Sequence, residues 1–151
     1  MLKGQIRNPD DALSFILAGN ATVTLRSVRT ENRFTFKVKQ AKDRATGRPV
    51  DGLFFVALMN GPDNETNFQY LGTIRNGVYA LGRKSRITAN AVSHKAFDWF
   101  WQNMRHADCF DLIECWHEGR CGHCNRKLTV PESIERGIGP ECAKSHIRRH
   151  F

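Results

Sequence analysis

Between His117 and His146 the chain reads HEGRCGHCNRKLTVPESIERGIGPECAKSH. Cys121 and Cys124 form a C-x2-C pair, and Cys142 follows after 17 residues. His117 lies four residues before Cys121, and His146 four residues after Cys142. Thiolate sulfur and imidazole nitrogen in this pattern are the ligands of a closed, tetrahedral zinc site. Gly122 lets the backbone curl inside the C-x2-C turn, and Asn125 just after it tolerates a left-handed conformation. Gly137-Ile138-Gly139-Pro140 reads as a tight turn into a helix, with Pro140 near its first position. Cys142 then falls in the first helical turn, where the dipole and the free N–H groups favour a thiolate.

Two cysteines on a turn, a short excursion and a helix carrying a third make a treble-clef-like or zinc-ribbon-like plan. The bland alternatives are a disulfide or a set of free thiols, and the agreement of spacing with glycine placement favours zinc. The fourth ligand stays open on residue chemistry alone. His146 is one helical turn after Cys142 and shares its face. His117 could equally reach the metal from a strand leading into the turn.

The segment resembles a zinc signature of small phage and prophage proteins, which is also found attached to larger DNA-handling proteins. Its pattern is H-x3-C-x2-C-x-R-x-L-T-x-P-E-S-x3-G-I-G-P-x-C. His117, Cys121, Cys124, Arg126, Leu128, Thr129, Pro131, Glu132, Ser133, Gly137, Ile138, Gly139, Pro140 and Cys142 match it. Asn125 departs from it, standing where a glycine is common. The pattern has a leading histidine and none fixed at the position of His146. The resemblance therefore implies His117, Cys121, Cys124 and Cys142 as the ligands of one structural zinc ion. It also implies a phage or mobile-element setting, with no known reaction, and the upstream domain is similar to that of such phage proteins.

The elements around this segment set what else the chain can do. A chain of 151 residues buries roughly two thirds of its unfolded surface, so the metal need brace only the last part. The expected organisation is a basic α+β sheet domain over 1–108 and a zinc module over 109–151. No apolar run is long enough for a membrane span, and the first residues lack the apolar core of a signal peptide. An odd number of cysteines, three of them in a metal pattern, fits a reducing cytoplasm, that of a bacterial host if the chain is phage-encoded.

The formal net charge is +8. Residues 1–100 carry 15 Lys and Arg against 8 Asp and Glu, and residues 101–151 carry 8 against 7. The positive charge therefore sits upstream of the cysteines. Arg33, Lys37, Lys39, Arg44 and Arg48 are the first candidate contacts to a polyanion, and Lys84 and Arg86 the second.

Asn8-Pro9-Asp10-Asp11 starts a short helix that Gly19 can end. Residues 21–28 and 33–40 alternate apolar and polar, with a turn at 29–32, and predict a two-stranded ribbon with an apolar and a basic face. Residues 41–52 read as a mobile loop. LFFVALM (53–59) reads as a central buried strand, GPDNET (61–66) as a turn, and FQYLGTI (68–74) as a strand with a bulge at Gly72. Asn76-Gly77 signals a hairpin into VYAL (78–81). Residues 91–104 predict a helix capped at Ser93, with Phe97, Phe100, Trp101 and Met104 on one face and Trp99 off it. FDLIECW (110–116) reads as a last strand, with Cys109 and Cys115 as small core residues.

The fold class is therefore α+β: an antiparallel β-sheet domain with flanking helices, plus a C-terminal zinc module. A zinc deaminase needs H-x-E on a separate segment from P-C-x2-C, and here His117-Glu118 precede the same pair. Three cysteines and a histidine close the shell that a metal hydrolase leaves open. No phosphate-binding loop or nucleophile motif stands out, and a zinc-supported nuclease built on His146 and His150 lacks an acidic partner. The expectation is a non-enzymatic protein that binds nucleic acid, DNA rather than RNA, through its phosphates. The alternative is a phage-encoded factor that inhibits a host defence complex by docking on it.

Overall fold

Asn8 starts the first helix. Its side chain accepts from the Asp11 N–H at 2.9 Å, Pro9 fills the first helical position, and Asp10 and Asp11 face the positive end of the dipole. In the computed structural model, which describes residues 4–60, 68–119 and 121–123, this helix is α1 (Pro9–Ile16), preceded by β1 (Gly4–Ile6). It buries Ala12, Phe15 and Ile16. The turn expected at 61–66, Cys124, Cys142, His146 and the helix expected after Pro140 lie outside the described residues.

The ribbon forms where alternation placed it. β2 (Asn20–Ser27) pairs with β3 (Arg33–Lys42), with Val23 opposite Phe36 and Thr24 opposite Thr35. It is part of a larger sheet. Among the described residues seven strands are ordered β1-β7-β2-β3-β4-β5-β6, and every pairing is antiparallel. β4 spans Pro49–Met59, β5 Phe68–Arg75 and β6 Val78–Leu81. The helices are α2 (Val92–Asn103) and the short α3 (Cys109–Leu112), followed by β7 (Ile113–His117).

Four expectations need correction. Residues 41–52 are not a structureless loop: the strands run on, Lys42 opposes Pro49, and only residues 43–48 turn. Asp43 makes this turn, because its Oδ1 accepts from the N–H of Ala45 at 2.8 Å and of Thr46 at 3.1 Å, closing an Asx-type turn. The apolar run 53–59 is not buried on both faces: Phe54 and Val56 are buried, whereas Phe55 between them is 44% exposed. α2 begins after Ala91 without a side-chain cap, and Ser93 is buried within its first turn. The segment 110–116 starts as a helical turn, α3, before it becomes β7.

The Asn76-Gly77 turn forms as its sequence requires, with φ of 51° and 82°, both left-handed. The pairing of β4 with β5 slips by one residue beside Gly72, at the expected bulge. α2 packs on one face of the sheet. Phe97 lies 5.0 Å from Phe36 and 4.8 Å from Tyr79 between ring centroids, and Trp101 Nε1 donates to the Gly77 carbonyl at 2.9 Å. Phe100 and Met104 are fully buried, and Trp99 stays 40% exposed. α1 reaches the same face, with Phe15 centred 5.6 Å from His117. No described helix is long and apolar enough to cross a membrane.

Candidate functional site

Strand alternation decides where the basic residues go. Phe34, Phe36 and Val38 of β3 turn toward the helices, so Arg33, Lys37 and Lys39 turn away from them. Cross-strand register extends this second face. Lys37 stands between Thr22 and Ala57, Lys39 beside Phe55, and Arg33 beside Arg26. Arg26 pairs with Glu31 at 3.0 Å and Glu114 at 3.3 Å, and these are the salt bridges among the described residues. Arg33 and Lys39 are exposed and join neither.

The structure thus brings Arg33, Lys37 and Lys39 together. Arg44 and Arg48 lie apart, exposed in the β3–β4 turn. Arg48 lines a groove of about 680 Å³ with Leu17, Ala18 and Phe54, on the helix-bearing side. Lys84 and Arg86 are exposed on the turn after β6. Ser85 between them donates to the Tyr70 carbonyl at 3.0 Å, which ties that turn to β5.

Sequence reasoning missed the aromatic residues of the same face. Phe55 and Tyr70 are 6.4 Å apart between centroids in an edge-on pair. Lys37 Nζ lies 5.2 Å over the Phe68 ring, within the range of a cation–π contact. Trp116 of β7 opposes Thr24 and Gln5, and its Nε1 donates to Glu114 at 3.0 Å. The signal was available as period-two spacing, Phe68 to Tyr70 and Phe55 out of step with Phe54 and Val56, but an all-apolar run hides which residue leaves the core.

The cysteine segment begins inside the sheet. β7 is hydrogen-bonded between β1 and β2, so the strand that delivers His117 is an interior strand. His117 and Cys121 are both buried. The His123 N–H donates to Cys121 Sγ at 3.4 Å, the kind of bond that stabilises a thiolate over a thiol. The Cys121–His123 turn is fastened to the body: Asn20 N–H donates to the Gly122 carbonyl at 2.7 Å, and His123 Nδ1–H donates to the Ala18 carbonyl. A Cβ on Gly122 would come 2.7 Å from the Phe15 ring and 2.9 Å from its carbonyl oxygen.

His117 Nδ1 accepts from the Gly119 N–H at 2.9 Å. A neutral ring that accepts there carries its proton on Nε2. For Nε2 to bind a metal, that proton must move to Nδ1 and the Gly119 contact must give way; binding through Nδ1 would replace the contact directly. Of the four expected ligands, Cys124 and Cys142 lie outside the described residues. Among the described residues no group of three or more His, Cys, Asp or Glu side chains is gathered for a metal.

Cys109 and Cys115 are buried, as expected of small core residues. Burial pushes the Cys109 thiol up to about 11 and, with Cys109 beside it, pushes the Cys115 thiol higher still. Both therefore stay protonated at neutral pH, unlike a metal ligand or nucleophile.

Compared with known protein families, residues 117–147 match a family of unknown function (DUF6011). The match starts at His117 and takes in Cys121, Cys124 and Cys142. No curated protein and no solved structure matches the chain.

Proposed function

We propose that the protein binds nucleic acid without acting as an enzyme, is encoded by a phage or prophage, and holds one structural zinc ion. The observation that carries this reading is the shared face of Arg33, Lys37 and Lys39 on β3, with no acidic partner for Arg33 or Lys39 among the described residues. Phosphates are the natural counterions of such a row, and contacts to them position a nucleic acid without reading its sequence. His117, Cys121, Cys124 and Cys142 are the proposed zinc ligands. In support, Cys121 Sγ already accepts a backbone N–H, and all four residues lie within the segment that matches a family model, as does His146. A closed site of this kind braces the last part of the chain.

The test is binding of labelled DNA and RNA, single- and double-stranded, to the zinc-loaded protein across roughly 50 to 200 mM salt. Tight binding with a steep salt slope, lost in the double variant Lys37→Glu/Lys39→Glu, is the expected result. Absence of binding at the low-salt end sinks the reading.

A second reading, a protein that docks on a host defence complex, rests on a different place. Val92 and Trp99 are 56% and 40% exposed along a groove of about 260 Å³ that Phe34 and Ile113 also line. Apolar groups left at a surface in this way suit a protein partner. Retention of one host protein at high salt, where phosphate contacts are screened, would favour it.

A further inference from the structure

The face of the sheet opposite α1 and α2 carries basic and aromatic side chains on neighbouring positions, and the two kinds of residue do different work on a nucleic acid. Phosphate contacts explain Arg33, Lys37 and Lys39. They do not explain Phe55, 44% exposed in the middle of a long strand, with Tyr70 edge-on beside it, Phe68 under Lys37 and Trp116 on the far side of the ribbon. α1 and α2 pack on the opposite face, through Phe15 on His117 and Phe97 on Phe36.

We infer that this face is a stacking platform for single-stranded nucleic acid, with Phe55 and Tyr70 receiving bases while Lys37, Lys39 and Arg33 hold the phosphates. The inference rests on the nucleic-acid reading above and narrows it to unpaired strands. Three features carry it. Register places Lys39 directly opposite Phe55 on the adjacent strand, and Lys37 in line with Tyr70 across Ala57, two strands away. At about 4.8 Å per strand, the row from Lys37 on β3 through Ala57 on β4 to Tyr70 on β5 spans roughly 10 Å and is continuous in register. Lys84 and Arg86 sit on the turn that Ser85 ties to β5 at Tyr70, so a second basic group lies at the same end of the row.

Duplex DNA fits this surface poorly. Its major groove admits a helix or a two-stranded ribbon, whereas Lys37 and Lys39 lie on β3, the middle of the five interior strands β7-β2-β3-β4-β5 among the described residues. An unpaired strand can lay its bases flat on exposed rings, and every base has a face to stack, so little sequence preference is expected.

The test uses the full zinc-loaded chain and four labelled probes of about 12 nucleotides, a length within the usual range of single-strand sites. They are oligo(dT), oligo(rU), a DNA duplex, and an abasic strand with the same phosphates and no bases. Oligo(dT) or oligo(rU) should bind more tightly than both the duplex and the abasic strand. Phe55→Ala and Tyr70→Ala should each weaken single-strand binding at least about fivefold and leave abasic binding unchanged. Tyr70→Phe, which keeps the ring, should bind as the parent does and guards against a fold defect. Aromatic variants with unchanged single-strand binding, or equal affinity for all four probes, would overturn the platform. If Lys37→Glu/Lys39→Glu still abolishes binding in that case, the phosphate-binding reading stands without it. No binding to any probe overturns both.

Discussion

On one side of the sheet Phe36, Val38 and Val56 are buried on the face that bears α1 and α2; on the other, Lys37, Lys39 and Phe55 of the same two strands are left at the surface or half-buried. The two faces share one backbone and are separated only by the period-two alternation of strands. A slip of one residue in the pairing of β3 would exchange them, sending Lys37 and Lys39 into the core. The chain holds its register against that slip at both ends. The β2–β3 turn closes with the Glu31 N–H donating to the Ser27 carbonyl at 2.9 Å, and the β3–β4 turn with the Asp43 N–H donating to the Arg48 carbonyl at 2.8 Å. The basic face is thus a consequence of the core and not a separate design: once Phe36 and Val38 are buried, Lys37 has nowhere else to point.

The largest expected effect tests that contrast directly. Phe36→Ala removes a fully buried ring that packs on Phe97 and Phe34, and should cost about 3–5 kcal/mol in chemical denaturation. Phe55→Ala, three pairs along on the next strand and on the other face, should cost under about 1 kcal/mol. Equal losses would mean that the two faces are equally covered, and the contrast would fail.

A smaller effect is expected where the cysteine turn meets the body. Gly122→Ala drives a methyl group against the Phe15 ring and its carbonyl. Since the backbone oxygen cannot swing aside as a flexible side chain can, about 1–3 kcal/mol of strain is expected. The same shift displaces Cys121, so zinc retained per chain through gel filtration should fall in Gly122→Ala and vanish in Cys124→Ser. The strands β2 to β6 should survive both changes, because α2 packs on them through Phe97, centred 5.0 Å from Phe36 and 4.8 Å from Tyr79. Loss of the whole sheet in Cys124→Ser would show that β7, interior between β1 and β2, makes the two parts one folding unit.

Much of the fold was legible because local rules and tertiary packing agree. Asn8-Pro9, the β2–β3 alternation and Asn76-Gly77 each carry their own geometry, and each forms where it was read. The failures lie where a residue has two roles open to it. Ser93 reads as a cap, but packing buries it. LFFVALM has no polar residue to mark the outward positions, so its exposed ring is visible only once the pairing with Lys39 is known. The insertion of β7 beside β1 is a long-range pairing that no local pattern encodes. At the candidate site, the lysines of β3 could be assigned to one face from sequence alone, whereas the rings around them come from three other strands and needed the sheet order.

The smallest effect concerns the β3–β4 turn at residues 43–48. Asp43 is fully exposed, yet the N–H groups of Thr46 and then Ala45 hold its carboxyl below the ordinary aspartate value. A carboxyl whose value is depressed in the folded state stabilises the fold above its unfolded value, near 3.9, and that contribution fades as pH falls through the folded value. The thermal midpoint of the parent should therefore drop on acidification from about pH 5 to pH 3 slightly more than that of Asp43→Ala, which has no such carboxyl to protonate. At neutral pH Asp43→Ala should melt slightly lower than the parent, and amide exchange at Ala45 and Thr46 should quicken while that of Phe36 and Val38 does not change. If exchange also quickened at Phe36 and Val38, the turn would be setting the register of the whole ribbon; if it changed nowhere, the strands alone would be closing the hairpin, and the two faces of β3 would be held apart by the core without help from the turn.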